Sequence, residues 1–154
     1  MLDLTHYTRW ITASVLKHID SRRQGISVYI EGQTRSTQEE LRWFEARLSG
    51  PHATPNGSQN EYKLYVEVNI LCQTCVDEKD VYHLKKLLGI AQQALNADIC
   101  VFKYGDEPGD NPDTYVGVLK LETEDPIEVH DFGQIEPANK SVQGSAEAHY
   151  CMQI

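Results

Sequence analysis

The chain has 154 residues, a net charge of −9 from 14 basic and 23 acidic side chains, and a hydrophobic content of 40%. That suits one domain, spanning 1–154, that buries roughly two-thirds of its unfolded surface. The carboxylate excess argues against a dedicated nucleic-acid binder, which needs clustered Lys and Arg to neutralise phosphates.

No window approaches the roughly 18 consecutive apolar residues of a membrane span. The start, MLDLTHYTRW, lacks the basic and then apolar run of a secretory signal, so the folded product is expected on the cytoplasmic side of the cell that makes it. Without an oxidising compartment, Cys72, Cys75, Cys100 and Cys151 read as free, mostly buried thiols.

In chain order, residues 3–22 place Leu4, Tyr7, Ile11, Val15 and Ile19 at helical spacing, with Asp3 as N-cap and Gly25 as the stop. Residues 26–31 (ISVYIE) predict a short strand, and 34–40 a polar turn or one helical turn. Residues 41–48 alternate, with Phe44, Ala46 and Leu48 on one side and Trp43, Glu45 and Arg47 on the other. Residues 49–60 (SGPHATPNGSQN) predict a long loop between two strands, read either as a finger reaching a partner or as a loose excursion.

The next stretch, EYKLYVEVNIL (61–71), alternates over its whole length and predicts a half-buried strand. Helical spacing of Val81, Leu84, Leu87, Leu88, Ala91 and Leu95 then predicts a helix over 77–96. Thr74 and Asp77 would form its capping box, and Asn96 its left-handed terminator. Residues 99–104 and 115–122 predict a hairpin around an acidic loop, 105–113. Residues 127–132 predict another strand, 133–144 a polar link, and 146–154 a strand docked in the sheet. The order predicts α+β: a mostly antiparallel β-sheet with two main helices packed on one face.

Few residues offer chemistry. CQTC (72–75), at a strand end before a helix, has the layout of a thiol-redox site or half a zinc site. No βαβ unit surrounds it, and Cys100, Cys151, His83, His130 and His149 supply no second CxxC or HxxxH pattern, so incidental cysteines are the favoured reading. Asp106, Glu107, Asp110 and Asp113 lack the glycine and glutamate positions of an EF-hand loop and read as a solvated acidic tip. There is no GxSxG and no phosphate loop, and His18, His130 and His149 read as structural. No enzyme, cofactor or metal centre is expected. Trp43, beside Glu45 and Arg47, is either an interface aromatic or a Trp covered by a helix of its own subunit.

Several phrases together carry a resemblance: VYIEGQTR (28–35), WFEARLSGP (43–51), the EYKLYVEVNIL strand and QGSAEAHYCMQI (143–154), behind an amphipathic first helix. The chain resembles the small tail terminator, or tail completion, proteins of long-tailed bacteriophages. The resemblance implies a homo-oligomeric, hexameric ring in the virion tail or neck, made in the host cytoplasm. Such a ring caps the tail tube protein, ends tail polymerisation and meets the head–tail connector. DNA would pass its lumen without specific binding, which carboxylate-rich walls favour. Loop length and strand phase, not matched functional residues, place the expected partner contacts at Trp43, Arg47, His52, Asn56, Asp106, Glu107 and Asp110. The alternatives are a neck or head-completion protein, or, in a different class, a CxxC redox or metal-binding domain.

Overall fold

The computed structural model describes residues 3–30, 42–57, 61–75, 80–105, 114–124, 127–134 and 141–154. Helix α1 (Leu4–Ser21) starts where expected, with the Asp3 carboxylate accepting from the N–H groups of Thr5 and His6 at 3.1 and 3.4 Å. It buries Ile11, Ser14, Val15 and Ile19. Its last turn closes through Arg22 N–H to the Ile19 carbonyl at 3.0 Å. Gln24 (φ 51°) and Gly25 (φ 81°) then reverse the chain into strand β1 (Ser27–Ile30).

Strands β2 (Arg42–Pro55) and β3 (Tyr62–Cys75) form an antiparallel hairpin far longer than the alternation of 41–48 suggested. The expected loop over 49–60 is largely strand: His52, Ala53, Thr54 and Pro55 pair with Tyr65, Leu64, Lys63 and Tyr62. The cause of the misreading is a β-bulge between Ser49 and His52. The extra residue inverts the phase, so Trp43, Glu45, Arg47 and Ser49 share a face with His52 rather than with Ala53. Gly50 sits there at φ +102°, and a Cβ on it would lie 2.6 Å from the Tyr65 carbonyl oxygen.

Thr74 lies in strand rather than at a described helix start, and Asp77, its expected capping partner, lies outside the described residues. Thr74 is buried in β3, opposite Arg42 on one side and Val142 on the other. Helix α2 (Asp80–Leu95) follows. It ends with the Asn96 N–H on the Gln92 carbonyl at 2.9 Å, and Asn96 is not among the described residues at positive φ, so the left-handed terminator is not formed. Strands β4 (Ile99–Phe102) and β5 (Tyr115–Leu121) make the second hairpin. Strands β6 (Glu128–Gln134) and β7 (Ser141–Gln153) extend into the stretch expected to be a polar link. Small Gly144, which is buried, contributes to its unstrandlike composition.

The strands form one sheet in the order β1-β2-β3-β7-β5-β4, with β6 paired to β7 off that path. All pairings are antiparallel except β1 with β2. The fold is therefore α+β with a mostly antiparallel sheet. One face carries Phe44, Ala46, Leu64, Val66, Val68, Ile70, Ala146, Ala148, Tyr150 and Met152, and both helices pack on it to make the core. The Tyr150 hydroxyl donates to the Leu95 carbonyl at the end of α2, which satisfies a buried phenol.

Helix α1 also finishes the sheet at β4, the last strand of the path. Ser14 Oγ accepts the Phe102 N–H at 3.1 Å, and Trp10 Nε1 donates to the Tyr104 carbonyl at 3.2 Å. The helix thus supplies the bonds that a further strand would have made.

Candidate functional site

The opposite face of the sheet has no helix on it among the described residues. Period two sends Lys63, Tyr65, Glu67, Asn69, Leu71 and Gln73 of β3 to this outer face, and all are half-buried. From β7 come Ser145, Glu147, His149 and Cys151, and from β6 come Glu128 and His130. Cross-strand register makes Glu67 the direct neighbour of His149, and Glu147 that of Asn69 on one side and Glu128 on the other.

The result is a concentration of carboxylates and imidazoles at the centre of the face. His149 Nε2 lies 3.2 Å from the Glu147 carboxylate, and His130 Nε2 lies 3.3 Å from that of Glu128. Glu67, Glu147 and His149 each bring a polar atom within 4.8 Å of the others, and so do Glu128, His130 and Glu147. Burial holds the Glu147 carboxyl above the usual carboxylate range, followed by the hydrogen bond and the charge of Glu67, with Glu128 adding and His149 opposing.

Beside the cluster is a cavity of about 110 Å³ lined by His52, Tyr65, Glu67, Glu122 and His149, among others. The His130 ring stacks on Phe132, 6.1 Å between centroids, where a bulge interrupts β6. Phe132 itself is 55% exposed. The larger groove, about 430 Å³ between α1 and β4, is lined by groups already engaged in fold-forming bonds, such as Ser14, His18 and Asp98.

The residues expected at a partner interface divide. Arg47 is exposed on the outer face and bonded to the Glu45 carboxylate at 3.3 Å, and His52 is exposed on the same face. Asn56 closes the hairpin turn, its N–H donating to the Glu61 carbonyl at 2.9 Å. Trp43 is not an exposed anchor. It lies on the outer side as the alternation requires but retains only 6% of its surface, flanked by Ser27 of β1 and Gln73 of β3. Trp43 is thus covered within its own subunit, but no helix lies over it among the described residues. Asp106, Glu107 and Asp110 lie outside the described residues.

The setting of Cys72 argues against the redox reading of CQTC. Cys72 is wholly buried in β3, and burial pushes its thiol up to about 12, the reverse of what a nucleophile needs. Cys75 continues the same extended strand, with its Cα about 10 Å further on. The Glu/His cluster escaped the sequence reading because its members come from three strands. A signal was present in two E-x-H triplets, EVH at 128–130 and EAH at 147–149, each of which puts both side chains on one face of a strand.

No protein-family model matches the chain, and neither does any curated protein sequence. Among solved structures, one superposes over 100% of this chain and 98% of its own with a TM-score of 0.54 at 8% identity. At that identity the likeness concerns the fold.

Proposed function

We propose that this chain is a structural virion protein of a phage tail, a subunit of the ring that caps the tail tube, ends its polymerisation and joins it to the head connector. The observation that carries this reading is strand β6. Among the described strands it pairs with β7 alone, and its Val129 and Phe132 are 41% and 55% exposed. Apolar side chains on an edge strand invite a neighbouring chain, and a protein that works alone normally blunts such an edge.

A second apolar surface lies on a different strand, at Tyr115 of β5, which is 56% exposed. Contacts between unlike faces are what a cyclic, head-to-tail ring is built from. The α+β architecture agrees with the resemblance carried by residues 28–35, 43–51 and 143–154, and the net charge of −9 suits a lumen that lets DNA pass without gripping it.

The test is a mass measurement in solution by light scattering, with and without purified tail-tube protein. A hexamer, or a monomer that becomes a ring on the tube, is the expected result. A ring that engages the head connector and ignores the tube would move the chain to the neck. A monomer at every concentration, indifferent to both partners, would remove the reading.

A further inference from the structure

We propose that Glu67, Glu147 and His149 form a binding site for a divalent transition-metal ion of the zinc type on the outer face of the sheet. This assignment stands apart from the ring reading and does not depend on it.

The donors are brought together by the fold. Glu67 comes from β3, and Glu147 and His149 from β7, in register across a continuously paired ladder. Their polar atoms already lie within 4.8 Å of one another. Ligand atoms around a zinc-sized ion, with bonds of about 2.0–2.2 Å, sit about 3.4 Å apart, so rotation of the two carboxylates closes the set. The strands beneath stay put.

The donor chemistry selects the ion. One imidazole with two carboxylates is a ligand set found around zinc, whereas calcium takes six to eight oxygens and magnesium keeps a near-ideal octahedron of oxygens and waters. The remaining position is available from the adjoining cavity, whose lining includes His52 and Glu122. A water, or either of those side chains, completes the coordination from that side. Glu128 and His130 flank the site through Glu147, which belongs to both groups.

The charge pattern points the same way. Two carboxylates and an imidazole converge on one spot, and a divalent cation there would be held by all three.

Tag-free full-length protein, stripped with a chelator, is titrated with Zn²⁺ by calorimetry and with Co²⁺ by visible absorption. One ion per chain is expected, with a d–d spectrum of four- or five-coordinate Co²⁺ and a rise in melting temperature on adding Zn²⁺. Glu147→Gln, Glu67→Gln and His149→Gln should each weaken binding by about tenfold or more. His6→Gln and Cys151→Ser should bind as the parent does, and millimolar Mg²⁺ or Ca²⁺ should not compete. Metal-free melting of each variant shows whether it is folded, and three separate ligand variants keep the test intact if one is not. Absence of Zn²⁺ binding, binding unchanged in the folded ligand variants, loss confined to Cys151→Ser, or equal competition by Mg²⁺ would each overturn the assignment.

Discussion

His18 shows how much a single ring can be asked to do in this fold. Its Nε2–H donates to the Ala94 carbonyl at 2.8 Å, which ties α1 to the end of α2, and its Nδ1 accepts from the Arg22 guanidinium at 3.1 Å. Both partners suit the neutral ring, since a proton on Nδ1 would meet a donor. Burial lowers its pKa from the ordinary 6.5, with Arg22 acting in the same direction and the Ala94 bond opposing. Lys17 and Asp98 line the same groove. The unfolded chain therefore binds the proton more readily. The stability His18 contributes is full above pH 6.5 and is lost as the pH falls through the lowered value. In urea melts at pH 7 and pH 5, His18→Gln should lose less stability on acidification than the parent. Equal losses would show that His18 does not titrate between folded and unfolded states.

At the scale of elements, the hairpin β2–β3 depends on one bulge. Gly50 has φ +102° and its missing Cβ leaves room for the Tyr65 carbonyl, whereas Gly57, at φ +76°, has open space around it. Both would strain as Ala, by about 1 kcal/mol each for the dihedral, but only Gly50 adds a backbone collision. Gly50→Ala should cost about 2–3 kcal/mol, lowering the melting temperature by roughly 4–10 °C for a domain of this size, and Gly57→Ala about half of that. If thermal melts give equal losses, the close approach at the bulge is not what requires glycine.

The same bulge explains what the sequence could and could not reveal. Both helices were readable because their apolar spacing is unbroken, and α1 because Asp3 caps it as its side-chain chemistry dictates. The long strand β3 was readable for the same reason: Leu64 to Cys72 alternate without a slip. In β2 a change of phase at Gly50 and Pro51, amid turn-forming residues, hid the second half of a strand. In β7 the buried positions include Gly144 and Ser145, which carry no hydrophobic signature. The outer-face cluster was harder still. Glu67 and His149 are neighbours only through the β3–β7 register, which no local pattern specifies. Trp43 shows the converse, since its strand phase was right and its exposure could not be inferred from phase.

For the whole molecule, the exposed edge of β6 makes a prediction that separates assembly from folding. Val129 and Phe132 are largely outside the core, so replacing both with Lys should leave the melting temperature within a few degrees of the parent. Charge on an edge strand blocks pairing with another chain. In sedimentation experiments the Val129→Lys, Phe132→Lys variant should stay monomeric under conditions in which the parent forms rings. Rings of undiminished stability from the double variant would place the subunit contact elsewhere.

The position of β7 has a kinetic consequence. It is the last strand in chain order, yet it stands between β3 and β5 and also holds β6. Until it arrives, the β1-β2-β3 portion and the β4–β5 hairpin share no pairing among the described strands, and a long ladder on β3 has no partner. Closing that ladder joins segments far apart in the chain, the kind of contact that slows folding most. A ribosome-bound chain lacking β7 thus exposes a sticky, incomplete sheet, and commitment to the native state must wait until synthesis has delivered it.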